Sequence, residues 1–564
     1  MRLAELVGGL AVVSDLARGL GEGQGFRATV MAARLAELAR AEAGDREAAY
    51  WVGLLRFVGC TATAADMAAA LGDELAVSAA FASADARDLR QVLRGAVEAV
   101  GARPDHLLRF LARAPAVVRD HEVVSCEVAR HLAGELGLGD RVGLALGQVF
   151  ERWDRKGNPG RLGGSDLSPA TRLWQVAHLA ELLSDGRTDA AVVAELARRA
   201  GRQLDPELVE LFAGHAPELL ALGRDADLAA VLSVEPRPHR DITDERLDSV
   251  LELFGLIGDL KAPCFHGHSA RVAALAADAA TALGLDPGAV RQVRRAGLVQ
   301  DVGRVAVSSR IWSSERRLGD ADLEQVRLHP YYSQRLLDRV PALAPLAELA
   351  GSHHERGDGS GYHRGLRGDQ LSDRAALLAA VDRFVTAGAG RPHRAAVDPD
   401  GARRLLEADA AAGRLPEHVV RAVLHAADPT RSPGVVPPAA ANPLTARELE
   451  VLQEVAAGRT NAAAARRLGI SAKTVNTHLE HAYAKLDVST RTAAVVIAQR
   501  RGLARPVTAW SGIGRSPDTA SGRRSRSWDS WTPPPSPASM PPPSPSWSAP
   551  ARPAPSTSSA ATST

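Results

Sequence analysis

An internal repeat constrains this chain more than any other feature, because a pattern that occurs twice asks for one scaffold built twice. The segment Phe150-Glu-Arg-Trp-Asp-Arg-Lys-Gly157 lines up with His354-Glu-Arg-Gly-Asp-Gly-Ser-Gly361 at an offset of 204 residues. The match runs on without a gap from Leu162 and Gly164 to Leu366 and Gly368. Upstream, Leu54-Leu-Arg-Phe-Val-Gly59 lies over Leu298-Val-Gln-Asp-Val-Gly303 at an offset of 244, and Gly201-Arg-Gln-Leu-Asp-Pro-Glu207 parallels Gly413-Arg-Leu-Pro-Glu417. Helices rich in Ala, Leu and Arg resemble one another by chance. The shared Glu-Arg-x-Asp and glycine positions are not periodic, so two copies of one helical domain are the simpler account.

Composition and punctuation fill in the rest. Few aromatic residues (4%), abundant Ala, Leu and Arg, and long stretches of 3.6-residue periodicity predict a mainly α chain. At 564 residues it exceeds one ordinary domain. Composition shifts at Glu235-Pro-Arg-Pro-His239, Ser432-Pro-Gly-Val-Val-Pro-Pro438 and Pro506 divide it. The expected domains are 1–232, 241–431 and 443–505, followed by a Pro/Ser-rich tail at 506–564 that is too poor in apolar residues to order itself. The net charge of +2 gives no whole-chain attraction to nucleic acid, so any DNA-binding charge is local.

Cys60, Cys126 and Cys264 are too scattered for a zinc site or a disulfide framework, which predicts a reducing cytoplasm. Glu5, Asp15 and Arg18 interrupt the N-terminal apolar stretch, so a signal peptide is not expected. No later run is expected to reach the ~20 apolar residues of a membrane span.

The second copy concentrates His and Asp at helix ends and loops: His268, Asp301, His329, His353, His354 and Asp382. Neutral imidazole with carboxylate suits iron, manganese or a similar divalent ion, and a shared carboxylate such as Asp301 can bridge two of them. These residues resemble the HD-GYP branch of the HD phosphohydrolases, from His266-Gly-His-Ser-Ala-Arg-Val272 to Arg391-Pro-His-Arg394. The most specific element is His353-His-Glu-Arg-Gly-Asp-Gly-Ser-Gly-Tyr362. The resemblance implies cleavage of a cyclic dinucleotide, places those six residues at metal-ligand positions, and gives Asp301 and Arg304 the catalytic positions. Three departures weaken it. The family's His-Asp pair is Gln300-Asp301, its lysine is Arg304, and the Pro of Gly-Tyr-Pro is His363. An amide oxygen is a weak ligand, so one metal position is expected to bind less tightly than the other.

The first copy lacks these ligands. Ala28 is expected opposite His268, Arg56-Phe57 opposite Gln300-Asp301, Ser125 opposite His329, Val149-Phe150 opposite His353-His354, and His178 opposite Asp382. It is read as a degenerate HD-like domain without metal, packed on its partner as an internal pseudo-dimer or sensing a ligand.

Residues 443–505 read as four short helices. Thr445 with Glu448 forms a capping box, Gly458 ends the first helix, and Gly469 makes a tight turn. Ser471 caps a third helix whose Val475, Leu479, Ala482 and Leu486 make one apolar stripe. Ten basic against five acidic residues supply local positive charge. The module resembles the LuxR-type helix-turn-helix in Leu444-Thr-Ala-Arg-Glu448, Gly458, Asn461, Ile470-Ser, Thr474-Val-x-x-His478, Lys485-Leu486 and Arg491. That resemblance implies double-stranded DNA as partner. Asn476, Thr477 and Glu480 then face bases, and Lys473, Thr474 and Lys485 face phosphates. The fourth helix, with Val495, Val496 and Ile497, is expected to make a homodimer.

The leading expectation is a cytoplasmic DNA-binding transcription regulator whose HD-GYP-like domains sense a metal, a cyclic dinucleotide or another phosphorylated ligand. The alternative is a metal-dependent phosphodiesterase with an accessory DNA-binding domain.

Overall fold

The structure, a computed structural model, describes residues 1–428, 443–501 and 503. The expected linker, apart from Pro443, and the expected disordered tail lie outside the described residues. Every named element among those residues is helical, and extended pairing is confined to isolated bridges such as Arg2 with Asp241. Local chemistry sets many helix starts. Asp205 and Asp286 each accept from two backbone N–H groups beyond a proline at the first helical position.

The two halves repeat one set of backbone contacts. Glu151 accepts from the N–H groups of Gly160, Arg161 and Leu162, and Glu355 accepts from those of Arg364 and Leu366. Trp153 N–H donates to Gln203 and Gly164 N–H to Trp153, just as Gly357 donates to Arg414 and Gly368 to Gly357. Side chains cannot be added at the closest approaches. A Cβ on Gly59 would meet Ser125 O at 2.3 Å, and one on Gly303 would meet His329 O at 2.2 Å.

These contacts also correct one expected correspondence. Gly25 N–H donates to Asp15 and Ser269 N–H to Asp259, each at the head of a helix that follows a left-handed glycine. Gln24 therefore stands opposite His268. Ala28 lies one turn further along, because the helix starts four residues earlier than the sequence comparison assumed.

The halves are joined by a continuous core. It includes Leu10, Trp51 and Trp174 from the first half and Leu251, Phe254, Val302 and Leu337 from the second. Packing is reciprocal: helix Leu3–Leu16 contacts the turn Val302–Ala306, and helix Asp244–Asp259 contacts the turn Cys60–Thr63. A polar weld crosses the seam. The carboxylate of Glu74 accepts from Lys261 Nζ (2.7 Å), Ser308 Oγ (2.9 Å) and Ser309 N–H (2.7 Å), with both charged side chains buried.

By length and composition alone, Ala43–Leu71 could cross a membrane, contrary to the expectation that no run reaches that length. Here 78% of its apolar window is buried in the fold, the behaviour of core helices.

The C-terminal module has the four expected helices, Ala446–Ala456, Asn461–Leu468, Ala472–Leu486 and Arg491–Arg500. It packs on the long helix Pro104–Glu135. Glu127 accepts from Ser489 and Thr490, and Arg500 bridges Glu135 (2.8 Å) and Glu252 (2.5 Å). Val496 joins the core of the two halves, while Val495 and Ile497 lie in the module's own core. The three residues expected to meet a second copy are thus buried within the chain, since the fourth helix is sandwiched between its own module and the first half.

Candidate metal centre and helix-turn-helix

The six predicted ligands come together as two triads. His268, Asp301 and Asp382 form one, and His329, His353 and His354 the other, with the ligand atoms of each within 4.8 Å of one another. His268 opens a helix, His329 opens another, and Asp382 lies mid-helix in Asp373–Gly388, so three separate helices converge on the turn that carries Asp301.

Asp301 stands between the triads. Its Oδ2 is 3.2 Å from His268 Nε2, and its Oδ1 is 3.3 Å from His329 Nε2 and 3.6 Å from His353 Nε2. Burial works to raise its pKa, but the Arg304 guanidinium and the imidazole of His268 oppose it, and the carboxyl is held well below the usual carboxylate range. Asp382 is likewise depressed, burial being outweighed by His268 and His354. Burial and the neighbouring imidazole of His353 push His354 well below its ordinary value, leaving a neutral ring.

The imidazole geometry tests whether the residues fit a cation. His329 Nδ1 lies 2.6 Å from Val326 O and His353 Nδ1 lies 2.6 Å from Ala350 O, so both Nδ1 atoms donate and both Nε2 atoms carry lone pairs. Those two Nε2 atoms face each other at 3.1 Å. Two lone pairs at that distance repel unless a cation sits between or beside them. Asp301 Oδ1 and Gln300 Oε1 are also buried without a hydrogen bond, two more acceptors in want of positive charge. The donor set fits divalent metal. His329, His353, His354 and Asp301 would hold one ion, and His268, Asp301 and Asp382 a second.

Gln300 enters the second group at an angle that explains its cost. Its Nε2 donates to Asp301 Oδ2 and Asp382 Oδ1, both at 3.2 Å, so the amide meets the carboxylates with its hydrogens. Arg304 does not face open space. Its Nη2 lies 2.8 Å from Asp301 Oδ2 and its guanidinium stacks 4.0 Å from the Phe265 ring, which makes it a holder of the bridging carboxylate.

Sequence reasoning missed three participants. Asp259 accepts from Ser269 and fixes the helix of His268. Glu355 ties down the loop after His354, and Trp312 sets its ring edge against His329 at 5.8 Å between centroids. The repeat held the signal for the first two, since Asp15 and Glu151 occupy the matching places. Nothing local marked Trp312.

In the C-terminal module the predicted recognition residues Lys473, Thr474, Asn476, Thr477 and Glu480 are all exposed. The capping box forms as expected, with Thr445 and Glu448 exchanging hydrogen bonds. Ser471 Oγ caps the third helix by accepting from Thr474 N–H. Asn476 Nδ2 donates to Glu480 Oε1 at 2.7 Å, so these two act as a pair. Lys485 departs from expectation. Its Nζ contacts both oxygens of Glu448, at 2.9 and 2.7 Å, so a phosphate would have to compete with the capping carboxylate.

Two family models match the regions that carry these residues. Residues 256–416 match the HD domain family, and residues 442–498 match the luxR family of bacterial regulatory proteins. The chain therefore carries a region of the HD domain family and a LuxR-type helix-turn-helix.

The 3'3'-cGAMP-specific phosphodiesterase 3 of Vibrio cholerae is 29% identical over 286 residues, 50% of this chain and 62% of that protein. A cyclic di-GMP phosphodiesterase of Thermotoga maritima is 30% identical over 153 residues, 27% of this chain and 42% of the other. The transcriptional regulatory protein LiaR of Bacillus subtilis is 50% identical over 60 residues, 11% of this chain and 28% of that regulator. Each alignment thus spans less than two thirds of the relative's length. A crystal structure of a V. cholerae cyclic GMP-AMP-specific phosphodiesterase shares the fold, with a TM-score of 0.54 at 21% identity over 76% of this chain and 97% of the other.

Proposed function

We propose that the chain is a metal-dependent phosphodiesterase for cyclic dinucleotides, built as a tandem of two HD-GYP-like domains and tethered to DNA by its helix-turn-helix. The observation that carries this reading is the Asp301 carboxylate, with one oxygen toward each of two ligand triads. The relatives weigh for hydrolysis over the purely sensory role that the altered Gln300-Asp301 pair favours by itself. Metal held there would activate a water for attack on phosphorus. Asp301, His268, His329, His353, His354 and Asp382 would hold the metal, Arg304 fixes the Asp301 carboxylate, and Glu355 keeps the adjacent loop in place. The recurrent contacts of Glu151 and Glu355 and of Gly59 and Gly303 support reading residues 1–232 as a copy of 241–431 whose ligands were replaced.

Anaerobically purified full chain loaded with Mn2+ or Fe2+ is expected to linearise 3'3'-cGAMP or cyclic di-GMP, and Gln300→His to raise turnover by about tenfold or more. No linear product from either protein would return the reading to a sensor. The DNA half has its own test. Lys473→Ala is expected to weaken binding evenly across sequences and to reduce the salt slope by about one counterion. Lys485→Ala is expected to do less, since its charge is already spent on Glu448. A homodimer through Arg491–Arg500 requires the module to leave the first half, because Val496 is buried there.

A further inference from the structure

The metal centre opens to solvent at one ligand. His354 keeps 19% of its side chain exposed, while His268, Asp301, His329, His353 and Asp382 keep 3% or less. Aromatic rings lead outward from that opening. Tyr362 stacks on His354 at 4.7 Å between centroids, and the next residue, His363, meets the ring of Tyr331 edge to face at 5.6 Å.

Tyr331 and His363 are not ligands, and neither is part of the packed core. Tyr331 is 38% exposed, and Leu328, which precedes the ligand His329, is 40% exposed. A phenol ring and a leucine left open together beside a site offer an apolar platform for a ligand. Its stance is fixed from behind. Arg335 Nη1 donates to Tyr331 Oη at 3.4 Å while its Nε pairs with Glu22 of the first half at 3.3 Å.

His363 has hydrogen-bonding capacity to spare. Its Nδ1 is buried without a partner, and its Nε2, on the accessible side of the ring, is unpaired among the described residues. A buried N–H with no acceptor is the costlier way to leave Nδ1, so the ring proton belongs on Nε2. The platform therefore has a donor at its edge.

We propose that Tyr331 and His363 read one base of a cyclic dinucleotide: the base stacks on Tyr331 and Leu328, and His363 Nε2–H donates to its edge. A purine takes this place, because its fused rings cover both side chains and its N7 accepts the hydrogen bond. Guanine is favoured over adenine, since guanine has two adjacent acceptors, N7 and O6, where adenine sets an amino group beside N7. The related motif has proline at this position, which carries no donor, so the reading belongs to this chain's own His363. The inference rests on the phosphodiesterase reading only in taking the metal centre as the place where a cyclic dinucleotide is held.

Full chain loaded with Mn2+ is titrated by calorimetry with hydrolysis-resistant phosphorothioate analogues of cyclic di-GMP and cyclic di-AMP. The guanine analogue is expected to bind about tenfold more tightly or better. Tyr331→Ala weakens both by roughly tenfold or more, and Tyr331→Phe restores them, since the ring does the stacking. His363→Phe keeps the edge contact with Tyr331 and loses the donor, so the ratio between the analogues falls to about twofold or less. Metal content stays the same in every variant. Failure of wild type to bind either analogue would overturn the proposal. So would unchanged affinity in Tyr331→Ala, a guanine preference that survives His363→Phe, or weakening that tracks lost metal. Linear product from protein with any of these results leaves the phosphodiesterase reading standing alone. The expected pattern in protein that forms no linear product overturns that reading and upholds this one.

Discussion

The two halves of this molecule set equivalent backbones around chemically opposite centres. In the second half four imidazoles and two carboxylates gather at one place, with His329 and His353 Nε2 only 3.1 Å apart. On the proposed correspondence of the halves, Arg56 and Phe57 of the first half stand for Gln300 and Asp301, and Arg56 packs over the faces of Phe57 and Trp174. The pinned loops around them, held by Glu151 and Glu355, hardly differ. Scaffold and chemistry are therefore separable here. The scaffold depends on glycines and loop-pinning carboxylates that both halves keep, and the chemistry depends on about seven inward positions that they do not.

The comparison breaks most visibly at Asp301. Asp301→Asn removes the charge shared by both triads, so metal retention and cyclic dinucleotide hydrolysis are expected to fall by about a thousandfold or more, read by metal content and turnover. Retained metal would show that the triads act independently.

The weld between the halves comes next. Glu74→Ala leaves the Lys261 ammonium buried and unpaired, a loss of about 3–5 kcal/mol on unfolding by denaturant. Although burial works to raise the Glu74 pKa, Lys261, Ser309 N–H and Ser308 hold it below its ordinary value of 4.5. A carboxyl depressed in the fold stabilises above its unfolded pKa, and that contribution is lost as pH falls through the folded value. The variant should therefore lose less stability than wild type on acidification below about pH 4.5.

The smallest effect sharpens the contrast. Val149→His with Phe150→His restores two imidazoles to the first half, yet no metal uptake is expected, because Arg18 and Arg56 already supply the positive charge there. Metal bound at this site, detected in a His353→Ala background, would show that ligand identity alone separates the halves.

Much of this was legible in order along the chain. The capping box at Thr445, the turn at Gly469 and the apolar stripe from Val475 to Leu486 are local patterns, and all formed as read. The six metal-ligand candidates were equally plain, since residue type and motif spacing pick them out, although Asp382 sits mid-helix rather than at a helix end. Register across a length difference was not, because only the Gly25–Asp15 hydrogen bond, far from both ends of the repeat, distinguishes Gln24 from Ala28. Lys485 looked free because nothing in its neighbourhood shows that Glu448, 37 residues earlier, would reach it.

By itself, the sequence determined the helices, the helix-turn-helix and the His and Asp residues that the fold gathers, because each is written in spacings of a few residues. Tertiary structure decided that one carboxylate serves two triads, that Glu74 joins the halves, and that the fourth helix of the DNA-binding module lies against Glu135 and Glu252. Those outcomes depend on how helices hundreds of residues apart pack, and packing responds to shape and burial that no local period records.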